Sequence, residues 1–109
     1  MVEISFEEFK NLDMRVGKVL EVEEIPGSRN LYKLKVDFGS EQRQAVAGLK
    51  QYYKPEELKD RKWIFILNLE RRKIMGVESQ CMILAAEDGK GSVVLLQPEK
   101  DIAVGSRIT

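Results

Sequence analysis

The chain contains no histidine and a single cysteine, Cys81. Without histidine, neither a Ser-His-Asp nor a Cys-His nucleophilic site can be assembled. One thiol with no imidazole leaves no zinc cluster to build, so no metal is expected. The lone cysteine also excludes an internal disulfide, which suits a reducing cytoplasm. No apolar run approaches the roughly 20 residues needed to cross a bilayer, so no membrane role is expected. The start, Met1-Val2-Glu3-Ile4, is acidic and short, unlike a signal or transit peptide. Glycine-rich phosphate loops of the P-loop or dinucleotide type are missing. Adjacent carboxylates occur at Glu23-Glu24 and Glu56-Glu57, but such neighbours on exposed segments are more often solubilising charge than acid–base pairs. These absences argue against an enzyme and against a cofactor.

What is present fits one small domain. At 109 residues there is room for one modest core, and 43% hydrophobic with 33% charged residues is a globular rather than a disordered composition. The formal net charge is zero but unevenly spread. Residues 1–24 hold seven acids against three bases, whereas residues 43–73 hold nine bases against four acids. A neutral protein can therefore present a basic face, and local field is what steers a polyanion. An ordinary solvated surface is the plainer alternative.

Local patterns place the elements. Ser5-Phe6-Glu7-Glu8 has the form of a capping box, with Ile4 and Phe9 spaced for a hydrophobic staple, and predicts a short helix ending near Asn11. Residues 13–24 alternate like a strand, with Gly17 and Lys18 interrupting the alternation and marking a bulge or bend. Ile25-Pro26-Gly27-Ser28-Arg29-Asn30 is a turn by composition. Over residues 31–38, Tyr32, Leu34, Val36 and Phe38 share one face, and Lys33, Lys35 and Asp37 the other. Residues 43–49 return as a strand. Pro55-Glu56-Glu57-Leu58 is a helical turn with proline first and acids near its positive end. Residues 63–67 form a buried strand, and residues 81–86 and 92–96 flank a hairpin turn at Asp88-Gly89-Lys90-Gly91. Residues 104–108 allow one more short strand. Strand–strand–strand–helix–strand–strand is the order of the five-stranded Greek-key barrel known as the oligonucleotide/oligosaccharide-binding (OB) fold, an all-β class. Another small barrel or a sandwich stays open on this pattern alone.

The candidate site begins where the apolar run 63–67 gives way to Arg71-Arg72-Lys73 and two methionines, Met75 and Met82. A deep strand handing over to such a basic loop points to an anionic ligand. An OB groove binds nucleic acid through cations on phosphates and flat or apolar groups beneath bases. Lys33 and Lys35 lie on one strand face, Arg43 begins the strand expected to pair with it, and the basic loop is a usual ligand rim of this fold. Asn68 and Ser79, at the ends of the strands bracketing the loop, can hydrogen-bond ribose or phosphate, or instead cap turns. Met75 can press against a base or sugar, while a methionine placed like Met82 is more often core. Few aromatic residues are left over for stacking, so backbone contact should dominate.

These residues also carry a family likeness that covers nearly the whole chain. It runs through Phe6-Glu7-Glu8-Phe9-Lys10, Leu12-Asp13-Met14-Arg15-Val16-Gly17-Lys18-Val19, Leu31-Tyr32-Lys33-Leu34-Lys35-Val36-Asp37-Phe38-Gly39 and Ala47-Gly48-Leu49. It continues in Tyr53-Lys54-Pro55-Glu56-Glu57-Leu58, Asn68-Leu69, Arg72-Lys73-Ile74-Met75-Gly76-Val77-Glu78-Ser79 and Met82-Ile83-Leu84-Ala85-Ala86. In this order the blocks resemble the tRNA-binding domain family of the methionyl-tRNA synthetase beta-subunit or C-terminal type. The resemblance implies an OB barrel that binds tRNA by shape, with little sequence preference. It further implies a non-catalytic partner of the methionyl-tRNA synthetase catalytic chain, acting in the cytoplasm. A homodimer built from the N-terminal helix (residues 1–12) and the extension after the barrel (97–109), on either side of a barrel at 13–96, is also implied. Two positions depart from the family pattern: Arg29-Asn30 stand where Asp-Lys is common, and Cys81 where glycine is usual. The same scaffold also suits a peptide-binding export chaperone or a protein-interaction module.

Overall fold

In the computed structural model, which describes residues 1–109, the N-terminal helix α1 spans Phe6–Lys10. Ser5 Oγ accepts the Glu8 N–H at 3.0 Å, and the Glu8 carboxylate accepts the Ser5 N–H at 3.3 Å. The reciprocal cap is therefore formed. Ile4 is 62% exposed, and Phe9 stacks on Phe6 instead, with ring centroids 6.4 Å apart.

Strand β1, Met14–Glu24, is bent and serves two neighbours. Its first half pairs antiparallel with β4 (Lys62–Ile66) and its second half with β2 (Tyr32–Asp37). The bulge expected around Gly17 falls three residues later, where the register shifts between Val19 and Glu21. Gly17 has a different task. A Cβ there would stand 2.6 Å from Phe38 Cε1 and 2.7 Å from Val36 Cγ1, so only glycine lets the crossing strands pack this closely.

Strand β2 pairs in turn with β3, Gln42–Ala47, and helix α2, Pro55–Leu58, joins β3 to β4. Tyr32, Leu34 and Val36 point into the core as their period of two requires. Leu58 is sealed beneath Trp63, whose indole donates to the Leu58 carbonyl at 3.2 Å. Phe65 is fully buried and meets Phe38 edge-to-face at 5.4 Å. Within residues 63–67, only Ile64 keeps partial exposure.

Beyond β4 the chain forms β5 (Arg72–Ile74), β6 (Val77–Ser79), β7 (Met82–Ile83), β8 (Ala85–Glu87) and β9 (Val93–Leu95). The single strand expected over 81–86 is split into β7 and β8 at Leu84, whose N–H donates to Ile64. The main antiparallel sheet has the order β3-β2-β1-β4-β7, with β5-β6 and β8-β9 as hairpins. The sheet curls until β3 faces the β6–β7 segment. There the Gln80 N–H donates to the Gln44 carbonyl at 2.9 Å, and Ser79 and Gln80 side chains accept from Val46 and Gln44 N–H groups. The result is a nearly closed five-stranded barrel of the OB class, as the element order suggests.

The last residues run back along β1. Gly105 and Ile108 N–H groups donate to Val16 and Met14, and the Val16 N–H donates to Ser106. No helix is long and apolar enough to cross a membrane.

Gly17→Ala should therefore lower stability by about 1–3 kcal/mol through overpacking, read as a shift of the urea midpoint with the far-UV circular dichroism spectrum preserved.

Candidate nucleic-acid interface

The basic loop is an ordered hairpin. Ile74 and Val77 pair across a two-residue turn, Met75-Gly76, in which both residues have positive φ, +50° and +82°. That is the signature of a type I′ turn, whose twist matches the strands it joins. Glycine adopts this conformation freely, but a methionine does so at a cost of about 1–2 kcal/mol. The outcome is Met75 held at the hairpin tip, 55% exposed. Its methyl group reaches the β1–β2 turn, 3.6 Å from where a Cβ on Gly27 would lie. The β5–β6 hairpin and the β1–β2 turn thus meet along one rim.

Arg72 and Lys73 on β5 are exposed and join none of the ion pairs in the molecule. Arg71 is less free, since Glu78 pairs with it at 3.4 Å. The Gln80 amide, reinforced by Arg71, holds the Glu78 carboxyl below the usual carboxylate range. The hairpin therefore carries two unengaged cations and a third whose charge is partly balanced.

Lys33 and Lys35 project from the outer face of β2 into a polar cleft over β1, β2 and β3. The register sets each opposite an acid on β1, Lys33 against Glu23 and Lys35 against Glu21. Arg43 borders the same cleft, but its charge is directed elsewhere. Strand β3 starts at Gln42, one residue before Arg43, so Arg43 stands opposite Val36 in the row of Ala45 and Ala47. Its Nη1 donates to the Leu67 and Gln80 carbonyls at 2.8 and 3.2 Å, and Glu41 pairs with it at 2.9 Å. The guanidinium ties the barrel seam rather than lining up with the two lysines.

Asn68 and Ser79 are likewise engaged internally. Asn68 Oδ1 accepts the Asp13 N–H at 2.8 Å and its amide donates to Asn11, clamping the start of β1 to the end of β4. Ser79 Oγ accepts the Val46 N–H and donates to the Cys81 carbonyl, each at 3.1 Å. For both residues the capping alternative accounts for the polar groups. Met82 is 46% exposed rather than core, and with Leu69, Ile74 and Cys81 it borders an apolar recess beside Arg72. The Cys81 thiol points inward towards Gln44, and burial pushes its pKa up to about 12, so the extra bulk relative to glycine is absorbed by the core. Arg29 stays exposed, while Asn30 is tied to Gln51 and Lys50. Gln44, Gln80 and Glu21 were not among the residues expected at the site. Their position follows from the pairing register, which the alternation of a single strand does not reveal.

A curled five-stranded antiparallel sheet with a basic hairpin on its rim defines an OB-type nucleic-acid-binding module. Residues 14–107 match the family described as "Putative tRNA binding domain", and the chain belongs to that family. It is 55% identical over 105 residues to a methionine–tRNA ligase of Thermococcus kodakarensis, covering 96% of this chain and 14% of that protein. It is 51% identical over 108 residues to the corresponding ligase of Methanocaldococcus jannaschii, covering 99% of this chain and 17% of that one. The chain thus spans only 14% and 17% of the length of these two curated relatives. Among solved structures, a MetRS-related protein from Pyrococcus horikoshii superposes with a TM-score of 0.95 at 40% identity over the whole of both chains. The chaperone CsaA from Bacillus anthracis superposes with a TM-score of 0.88 at 31% identity, covering 99% of this chain and all of that one.

Ser79→Ala would leave the Val46 N–H and the Cys81 carbonyl without these partners. Its stability loss should be about 1–3 kcal/mol, against about 0.5 kcal/mol or less for Arg72→Ala on the exposed hairpin, compared by urea denaturation of the two variants.

Proposed function

We propose that the chain binds tRNA, largely by shape, through the rim formed by the β5–β6 hairpin. The observation that carries this reading is the pair Arg72 and Lys73, exposed and without ion-pair partners beside an exposed Met75. Cations so placed can each neutralise a phosphate and release its counterions. Arg71 adds to the field, and Lys33 and Lys35 border the adjoining cleft, each opposite an acid of β1. Met75, Met82 and the apolar recess offer a surface for a ribose or base. Asn68, Ser79 and Arg43 act indirectly, by fixing the loop and seam on which the rim is mounted.

The chain serves a methionyl-tRNA synthetase catalytic chain in the cytoplasm, adding tRNA affinity while the chemistry resides elsewhere. The likeness to a short segment of methionine–tRNA ligases supports this part. Its loss should chiefly raise the KM of the synthetase for tRNA. The chain acts as a homodimer through α1 and residues 97–109. Support comes from Phe6, exposed at a recess bordered by Phe9, Leu12 and Ile108, and from Val2 and Ile4, exposed just before α1. A peptide-binding chaperone is the second reading, favoured by the likeness to CsaA at 31% identity. Unfolded peptide that displaces bound tRNA would support it.

Affinity for tRNA in gel-shift titrations should fall steeply as salt rises, and a flat response would remove the electrostatic account. The double variant Arg72→Ala with Lys73→Ala should bind tRNA at least about tenfold more weakly, as expected for two lost charged contacts, while its thermal midpoint stays that of the parent. Unchanged affinity in the folded double variant would place the site elsewhere.

A further inference from the structure

The outer face of the sheet is organised in rows across β1, β2 and β3. In one row Glu23, Lys33 and Val46 stand side by side, and Glu23 pairs with Lys33 at 3.8 Å. In the next row Glu21, Lys35 and Gln44 stand side by side, yet Glu21 and Lys35 form no ion pair with each other or with any other residue. Gln42, two residues from Gln44 on the same face, is exposed. The cleft these groups border measures about 340 Å³ and is lined by no hydrophobic residue, a size within the range of small-ligand sites, roughly 300–1,000 Å³. Beside them the Gln44 amide donates to the Glu78 carbonyl at 2.7 Å, while the Gln80 amide donates to the Glu78 carboxylate at 3.0 Å.

Granted that the chain binds RNA as proposed above, we infer that this cleft reads the Watson–Crick edge of one unpaired guanine, with Glu21, Lys35 and Gln42 as the reading groups. A phosphate in the cleft would lie against the Glu21 and Glu23 carboxylates, so the hairpin and not the cleft is the place for phosphates. An ionised carboxylate only accepts hydrogen bonds, an ammonium only donates them, and an amide does both. Guanine alone among the four RNA bases has two adjacent donors on that edge, N1–H and the 2-amino group, next to the O6 acceptor. Glu21 takes the two donors, and the Lys35 ammonium and the Gln42 amide donate to O6. Cytosine and adenine each place an acceptor nitrogen beside their amino group, and uracil flanks its one N–H with carbonyls, so each would turn a lone pair towards Glu21. Unpaired bases are where sequence is read in RNA. Binding by shape would thus include one base-specific contact.

The isotope-labelled 109-residue chain, titrated with the 5′-monophosphates of guanosine, inosine, adenosine, cytidine and uridine, tests the cleft by NMR. All five carry the same phosphate. The guanosine nucleotide should shift the resonances of Glu21, Lys35 and Gln42 and bind at least about fivefold more tightly than the inosine nucleotide, which lacks the 2-amino donor. Equal responses to all five, or shifts confined to Arg72 and Lys73, would overturn the assignment. The sign of the effect of Glu21→Gln on tRNA binding gives an independent check. A face that only attracts phosphates would bind tRNA equally or more tightly once a negative charge is removed. Guanine reading requires weaker binding, by about fivefold or more, with the salt dependence retained. Unchanged or tighter binding by the folded variant would overturn the assignment. Failure of the parent chain to shift tRNA at all would count against RNA binding itself, a result distinct from loss of guanine preference among the nucleotides.

Discussion

The seam between β3 and the β6–β7 segment is the constraint on which the rest of the molecule depends. A five-stranded sheet must close to bury both ends of its core, and here the two closing segments do not share a regular ladder. A main-chain bond from Gln80 to Gln44 is supplemented by side chains, with Ser79 Oγ and Gln80 Oε1 accepting N–H groups of β3. Arg43 completes the junction by donating to carbonyls on both Leu67 and Gln80. Buried backbone polar groups must be paired, and side chains can satisfy them where strand geometry cannot. The β5–β6 hairpin lies immediately before this junction, so the position of its cations is fixed by the same bonds that close the barrel.

That arrangement explains why the polar residues of the 68–82 segment divide into two groups. Asn68 Oδ1, Ser79 Oγ and Gln80 Oε1 each accept a backbone N–H of a distant segment. Arg72, Lys73 and Met75 make no such bonds and face outward. A short motif can therefore combine groups that hold a rim in place with groups that meet a ligand. Substitutions in the first group act through folding, and those in the second through charge and contact. The strained Met75 belongs to both, since its positive φ is demanded by the turn while its side chain bridges to the β1–β2 turn.

Much of the fold was legible from local pattern. The capping box at Ser5 and Glu8, the alternation of Tyr32, Leu34 and Val36, and the proline-led turn at Pro55 each follow from interactions within a few residues. The exposure of Arg72 and Lys73 was legible too, because consecutive cations are seldom buried. What could not be read locally depends on partners far along the chain. Ser79 bonds to a residue 33 positions away, and Asn68 to one 55 positions away, so their structural role appears only once the barrel is closed. The bonds of Arg43 to the Leu67 and Gln80 carbonyls, 24 and 37 positions away, likewise depend on the closed barrel. The Met75-Gly76 turn escaped notice because methionine is not a residue that favours positive φ.

The distribution of charge separates two surfaces that a count of zero net charge conceals. On the hairpin, Arg72 and Lys73 have no internal counter-ions, so their field reaches solvent and suits the phosphate exterior of RNA. In the cleft, acids and bases alternate across the strands, so little net field escapes and a polyanion gains little there. Such a balanced surface discriminates by hydrogen-bond pattern at short range, whereas an unbalanced one attracts at long range with little discrimination. On the proposed function, the hairpin would supply attraction that depends on salt, and the cleft a contact that depends on which groups the RNA turns towards it.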